Sequence, residues 1–239
     1  MRSAFWNLFE RIYVINLESR PDRRKEIDEQ LRRVGLGLYQ PPVELFRAVR
    51  PDGAGAFETI GARGCFLSHL GVIQDAIQNR LESFLILEDD VDFSDDFEQR
   101  SNALAEALRS VPWSLFYGGY RLDRKVVGSG CLRLNPDQGV ETSHFVGLKG
   151  SKVARALLVY MQAQLGRPAG DPLGGPMHVD GTYSWFRRDN PELVTLLSVP
   201  EISHQRSSHS DIYERSGLDG FLHTTRLFRA ARKLRNRLA

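Results

Sequence analysis

The chain has 239 residues, of which 41% are hydrophobic and 26% are charged, and its formal net charge is +2. This length and apolar content fit one α/β domain with a sizeable core. Residues 221–239 hold six basic side chains and no acidic one, and the rest of the chain has 26 basic against 30 acidic side chains. The body therefore gives no electrostatic reason to expect nucleic-acid binding.

Two cysteines, Cys65 and Cys131, lie far apart in apolar surroundings. This usage fits reduced thiols in a cytoplasm better than a secreted disulfide framework, and a single bridge stays open. Residues 1–10 are interrupted by Asn7 and end at Glu10, so they lack the continuous apolar core of a signal peptide. No apolar run is long enough to span a bilayer, and the cysteine usage leads us to expect a cytoplasmic protein.

The first third of the chain predicts a strand followed by two helices. Residues 12–17 read as the strand, and the first helix has Ser19 as its N-cap, Pro21 in its first turn and Gly35 at its C-cap. A polar stretch containing Pro and Gly runs to about residue 62, and the second helix is predicted over residues 65–79.

Further strands and helices alternate after residue 83. An apolar strand over residues 84–87 precedes a helix with Ser94 as its N-cap, and a strand over residues 113–117 ends at Gly118 and Gly119. Residues 120–140 are interpreted as a hairpin. This alternation predicts a mostly parallel central sheet flanked by helices.

The last predicted elements surround a long loop. A strand over residues 144–148 precedes a helix with Ser151 as its N-cap. Residues 166–176 contain four glycines and three prolines, which indicates a loop that serves either as a lid or as a plain surface connection.

The tail, residues 221–239, reads as a basic amphipathic helix after a domain over residues 1–220. Three interpretations stay open for this helix: it rests on an anionic inner leaflet, docks on its own domain, or is solvated.

The most informative segment places four carboxylates directly after the strand of residues 84–87. In open α/β sheets, ligands bind beyond the carboxyl ends of the strands. Crowded carboxylates raise one another's pKa, and their oxygen atoms suit Mg²⁺ or Mn²⁺. The segment therefore predicts a cation site, with a solvated acidic turn as the alternative. The four acids are Glu88, Asp89, Asp90 and Asp92.

Three segments together resemble family 25 of the glycosyltransferases: residues 14–24, residues 64–69 and residues 87–91. The family includes bacterial lipooligosaccharide β-galactosyltransferases and collagen hydroxylysine galactosyltransferases. The motifs occur in the family's order and spacing, and a weaker resemblance continues to residues 210–212, so that it covers most of residues 11–212.

The resemblance implies a single nucleotide-binding domain of the GT-A type, an inverting transfer and usually Mn²⁺ (or Mg²⁺). It implies a UDP-sugar donor, UDP-galactose above all, and an oligosaccharide or lipid-linked glycan acceptor in lipooligosaccharide or other cell-surface polysaccharide synthesis. The expected location is cytoplasmic, peripheral on the inner face of the membrane.

For the donor, we expect Asp90 to reach the metal while Glu88 or Asp89 faces the ribose or a metal-bound water. The alternative register, in which Asp90 and Asp92 both reach the metal, stays open. The end of the first strand and the start of its helix favour an anion, with Arg20 as the best-placed arginine. The donor candidates there are Asn16, Arg20, Arg23 and Arg24, and Ser68 and His69 match the family's Ser-His pair near the nucleotide.

An inverting transfer also needs a general base on the acceptor hydroxyl, and Asp180 is our candidate. Its alternative role is a helix N-cap. The aromatic residues that follow, Tyr183, Trp185 and Phe186, are candidates for stacking on a sugar face.

The polar segment over residues 202–212 offers late ligands. His204, His209 or Asp211 completes the metal sphere, or Arg206 contacts the diphosphate, or the segment is a surface turn.

Two other functions stay open. A nucleotidyltransferase or phosphohydrolase uses the same carboxylates for attack at phosphorus, although the chain lacks a Gly-rich phosphate loop near its start. A non-catalytic relative binds a nucleotide or carbohydrate without turnover.

Overall fold

The computed structural model describes residues 3–122, 124 and 126–206. After a short 3-10 helix, Ala4–Leu8, these residues form the following elements in chain order: β1 Arg11–Asn16, α1 Pro21–Arg33, β2 Val43–Arg47, α2 Ile60–Gln78, β3 Ser83–Glu88, β4 Val91–Phe93, α3 Phe97–Ser110, β5 Leu115–Arg121, β6 Gly130–Arg133, β7 Glu141–Lys149, α4 Ser151–Leu165, α5 Val179–Asp189, β8 Thr195–Val199 and β9 Ser203–Gln205. The predicted tail helix over residues 221–239 lies outside the described residues.

The central sheet has seven strands in the order β2-β1-β3-β7-β5-β8-β6. Five of them run in one direction, whereas β7 and β6 run antiparallel to their neighbours. Strands β4 and β9 form a separate antiparallel pair. The predicted α/β class, with a mostly parallel sheet flanked by helices, is confirmed.

The apolar run in β3 is buried on both faces of the sheet, as its composition predicts. Phe84 and Ile86 pack into the core beneath α2, α4 and α5. Leu85 and Leu87 pack into the opposite core, beneath the 3-10 helix, α1 and α3. Because successive side chains alternate between the faces of a strand, the residues after Leu87 also divide between the two sides.

Three predicted N-caps are wrong by one or two residues. The N-cap of α1 is Arg20 rather than Ser19, because Pro21 fits the first helical position. Helix α3 is preceded by Asp96, and α4 by Gly150, whose φ of 100° favours glycine. The sequence predicts Ser94 as the N-cap of α3 and Ser151 as the N-cap of α4.

The structure extends or adds several elements. The Thr59 side chain accepts a hydrogen bond from the Ala62 backbone, so α2 begins five residues before its predicted start. Strands β2, β4, β8 and β9 were not predicted. Strand β6 pairs with β8 rather than within a hairpin of residues 120–140. Residues 166–176 form the predicted loop.

Strand β5 continues through Gly118 and Gly119, where the sequence predicted its end. A Cβ at Gly118 would lie 2.6 Å from the Phe145 ring, and a Cβ at Gly119 would lie 2.2 Å from His144 Nε2. The two glycines therefore let β7 side chains cross the strand instead of terminating it.

Cys65 and Cys131 are not joined by a disulfide. Among the described helices, none is both long and apolar enough to cross a membrane.

Candidate active site

At the carboxyl ends of β1 and β3, residues 14–24 contact the acidic residues that follow β3. Asn16, the last residue of β1, donates a hydrogen bond from Nδ2 to Asp89 Oδ2 (2.7 Å). Arg23, in the first turn of α1, donates from Nη1 to Asp89 Oδ1 (3.0 Å). Burial raises the pKa of Asp89, and the Arg23 guanidinium and the Asn16 amide oppose that rise. Asp89 is thus held on both oxygens by the predicted donor segment.

The remaining arginines of this segment divide between the network and the surface. Arg24 donates from Nε to Asn16 Oδ1 (2.9 Å) and therefore orients the amide that binds Asp89. Arg20, which we expected to be the best placed, pairs with the exposed Asp22 (2.8 Å). Arg23 thus contacts the acidic strand end directly, and Arg24 contacts it through Asn16.

Asp90 is the acid that best fits a cation. Its side chain is buried, its Oδ2 accepts a hydrogen bond from Gln205 Nε2 (3.1 Å), and its Oδ1 has no hydrogen-bond partner among the described residues. Burial, together with the charges of Glu88 and Asp89, raises the pKa of Asp90 to about 7. A buried, unpartnered carboxylate oxygen in a negative field is the donor type that Mn²⁺ or Mg²⁺ takes.

Glu88 points away from Asp89 and into the layer of α2 and α5. Ser143 donates from Oγ to Glu88 Oε1 (2.8 Å), and His69 Nε2 lies 3.4 Å from the same oxygen. Although burial opposes ionisation, His69 and Ser143 hold the pKa of Glu88 below its usual value. Glu88 is therefore favoured as a carboxylate by its contacts with His69 and Ser143.

The predicted Ser-His pair lies on α2 with both side chains buried. His69 Nδ1 lies 3.1 Å from the Tyr183 hydroxyl on α5. Ser68 Oγ donates to the Gly64 carbonyl (2.7 Å) and accepts from the Val49 backbone N–H (2.8 Å). Ser68 thereby holds the Val49 backbone against α2.

A pocket of about 210 Å³ lies beside this segment, at the carboxyl ends of β1 and β2. Arg47 at its wall pairs with Glu18. The sequence does not predict these lining residues, because β2 is a short strand inside a polar stretch. The pocket is lined by Leu17, Glu18, Ser19, Arg47, Ala48 and Arg50.

Asp180 lies in the first turn of α5. Its Oδ2 accepts a hydrogen bond from the Thr142 backbone N–H (3.0 Å), and its Oδ1 accepts from the Gly181 N–H (2.7 Å). The N-cap residue is His178, so the alternative in which Asp180 caps the helix is wrong. Burial raises the pKa of the Cys65 thiol, and the charges of Glu88, Asp180, Asp90 and Asp89 raise it further.

Residues 203–206 lie against the acidic residues because β9 pairs with β4. Asp92 and His204 are register partners, and their side chains lie 4.0 Å apart. Arg206 donates from Nε to Asp92 Oδ1 (2.9 Å) and also pairs with Glu26. Asp92 is therefore neutralised by Arg206 within the protein.

Of the late candidates, His209 and Asp211 lie outside the described residues. The late residue that reaches Asp90 is Gln205, whose amide carries no metal-binding signature in a sequence. Its backbone neighbour Arg206 also donates its N–H to the Asp90 carbonyl (2.7 Å).

The predicted sugar-stacking residues differ in exposure. Tyr183 and Phe186 are buried in the core, so that prediction is wrong for both. Trp185 is half-buried, and the Arg188 guanidinium lies 4.1 Å from its ring centroid.

Residues 9–118 match the family model of glycosyltransferase family 25 (LPS biosynthesis protein). The chain is 30% identical over 168 residues to a glycosyltransferase 25 family member of Aedes aegypti, covering 59% of this chain and 27% of that protein. It is 32% identical over 129 residues to procollagen galactosyltransferase 2 of Mus musculus, covering 46% and 21%.

A third relative is the inactive glycosyltransferase 25 family member 3 of Mus musculus, 28% identical over 158 residues, with 59% and 25% covered. The chain thus spans about a quarter of the length of these curated relatives. Among solved structures, a glycosyltransferase involved in the glycosylation of the major capsid of PBCV-1 matches with a TM-score of 0.46 at 9% identity, covering 84% of this chain and 96% of that one.

Proposed function

We propose that this chain, a relative of glycosyltransferase family 25 as its motifs predict, transfers a hexose from a nucleotide sugar to a glycan acceptor. The donor we propose is UDP-galactose, a choice supported by the name of the mouse procollagen galactosyltransferase 2. The acceptor is an oligosaccharide or lipid-linked glycan of a cell-surface polysaccharide, and the family's description as an LPS biosynthesis protein supports this class.

The observation that carries the proposal is the buried Asp90 carboxylate beside the Arg23–Asp89–Asn16 network. Transfer from a sugar diphosphate needs charge compensation on the departing diphosphate. Asp90 would hold Mn²⁺ or Mg²⁺, which supplies that compensation when bound. Asp89 is already paired on both oxygens, so it keeps Asn16 and Arg23 in place instead of competing for the ion.

The basic residues around the start of α1 are proposed to receive the phosphates. The helix N-terminus carries a partial positive charge, and Arg23 and Arg24 already lie within the network there. Arg20 would turn from Asp22 towards the donor. Arg206 holds Asp92 and the chain over Asp90, and in this position it is a second candidate for the diphosphate.

Asp180 is the proposed general base. It would accept the proton of the acceptor hydroxyl as that oxygen bonds to the anomeric carbon and the bond to the diphosphate breaks on the opposite side. The N–H groups of Thr142 and Gly181 fix the orientation of its carboxylate, which such a role requires.

The proposal is tested by thermal unfolding of the purified chain with nucleoside diphosphates and nucleotide sugars, each in Mn²⁺ and in chelator. A ligand that binds only the folded state stabilises it by about 2.7 kcal/mol at a hundredfold excess over its dissociation constant. We expect UDP and UDP-galactose to stabilise the wild type in Mn²⁺ only, and the Asp90→Asn variant not at all. No stabilisation by any nucleotide would contradict the proposal.

A second candidate is a non-catalytic binding relative, and the name of the inactive mouse family member supports keeping it. It predicts donor binding without turnover on a wide acceptor panel. The nucleotidyltransferase alternative predicts release of pyrophosphate from a nucleoside triphosphate and a sugar phosphate, whereas glycosyl transfer releases a nucleoside diphosphate.

A further inference from the structure

A second cluster of possible metal ligands lies beneath the acidic strand end, on the side away from Asp89. One ligand atom each from Cys65, His69 and Glu88 lies within 4.8 Å of the other two. Cys65 and His69 are four residues apart on α2, so both side chains project from the same face of the helix. Glu88 approaches this face from the end of β3.

His69 supplies an independent sign of a ligand. Its side chain is fully buried, and Nε2 faces Glu88 Oε1 at 3.4 Å without making a hydrogen bond to any residue that the structure describes. The other ring nitrogen is engaged by the Tyr183 hydroxyl at 3.1 Å. A histidine that binds a metal through one nitrogen is usually oriented by a hydrogen bond at the other, which is the arrangement found here.

The distances fit a tetrahedral ion. Bonds of 2.0–2.1 Å to nitrogen and oxygen place those two atoms about 3.3 Å apart, and His69 Nε2 lies 3.4 Å from Glu88 Oε1. A sulfur ligand at 2.3 Å lies about 3.6 Å from the other two, so Cys65 has to approach by about 1.2 Å at most. Cys65 and Glu88 are half-buried, and His69 is fully buried.

We propose that Cys65, His69 and Glu88 form a site for a thiolate-preferring divalent cation such as Zn²⁺, separate from the oxygen ligand Asp90. Sulfur and imidazole ligands select Zn²⁺ over Mn²⁺ or Mg²⁺. On binding, the Cys65 thiol releases its proton to solvent, so one thiolate and one carboxylate neutralise the two charges of the ion. Three protein ligands leave a fourth position for water.

The test is a Co²⁺ titration of the metal-stripped full chain, because Co²⁺ bound to a thiolate absorbs in the near ultraviolet and Co²⁺ bound to oxygen ligands alone does not. We expect one thiolate-bound Co²⁺ per chain, displaced by Zn²⁺. Cys65→Ser is expected to abolish the absorption, whereas Cys131→Ser, which changes the other cysteine, is expected to retain it. Tyr183→Phe removes the group that orients His69 and is expected to weaken Co²⁺ binding about ten- to hundredfold.

Asp90→Asn separates this site from the proposed donor site, because the variant is expected to keep the thiolate absorption while losing Mn²⁺-dependent nucleotide binding. His69→Gln gives a second disruption if Cys65→Ser fails to fold by circular dichroism. A wild-type chain without thiolate absorption, or absorption that follows Cys131 instead of Cys65, would overturn the site without bearing on glycosyl transfer.

Discussion

Replacing Asp90 with Asn is expected to stabilise the protein in the absence of metal, although it removes the proposed metal ligand. The pKa of Asp90 rises from an ordinary 3.8 to about 7 because of burial and the charges of Glu88 and Asp89. Each pKa unit corresponds to about 1.4 kcal/mol, so the ionised carboxylate costs the folded state about 4 kcal/mol at most. Asn keeps an acceptor for Gln205 without the charge, and we expect a gain of roughly 2–4 kcal/mol.

The gain depends on pH with a defined sign. The folded-state pKa of Asp90 lies above that of the unfolded chain, so the folded protein binds more protons between pH 3.8 and about 7. The free energy of unfolding of the wild type therefore rises as the pH falls from about 7 towards 3.8. The advantage of Asp90→Asn is largest at pH 8 and disappears towards pH 4.

Urea denaturation in chelator at pH 8, 6 and 4.5 measures the free energy of unfolding of both proteins. Asp92→Asn is the matched control, because Asp92 pairs with Arg206 at 2.9 Å and its loss is expected to cost about 1 kcal/mol. The diagnostic result is that the free energy of unfolding rises for Asp90→Asn and falls for Asp92→Asn, although both acids lie in the same segment. An Asp90→Asn protein that is no more stable than the wild type at pH 8 would refute the reasoning.

Three further predictions concern the sheet, the base and the tail. Gly119→Ala places a Cβ 2.2 Å from His144 Nε2 and is expected to cost about 1–3 kcal/mol in urea denaturation, whereas Gly139→Ala meets no atom within 4 Å and serves as the control. Asp180→Asn is expected to retain Mn²⁺-dependent stabilisation by UDP-galactose and to lose transfer; full transfer activity would reject its role as the base. Deleting residues 221–239 is expected to reduce binding to anionic vesicles, and unchanged binding would contradict the membrane role of the tail.

The sequence predicts the framework of the fold because its strongest signals are local. The apolar run of β3 and the helical periodicities predict the elements that they form. Strands β2, β4, β8 and β9 escape prediction because they are short and are stabilised by pairing with distant strands. Gly118 and Gly119 were wrongly predicted to end β5. Their small size makes room for side chains from β7, and no local sequence pattern reveals that packing.

In the candidate site, too, the residues with local sequence signals were predicted, and those that depend on distant contacts were not. The sequence predicts Asn16 and Asp89 separately as donor-site residues that follow two strands, and the structure joins them at 2.7 Å. Which arginine reaches them depends on where α1 begins: Arg23 donates to Asp89, and Arg20 pairs with Asp22. Gln205 was missed because its position depends on the β4–β9 pairing.

The central claim is that the buried acidic strand end supports glycosyl transfer from a nucleotide sugar. Its most direct test is the release of UDP from UDP-galactose in Mn²⁺ with a panel of glycan acceptors, measured for the wild type and for Asp90→Asn. We predict acceptor-dependent UDP release by the wild type and none by the variant or in chelator. Equal UDP release by the wild type and Asp90→Asn would contradict the account.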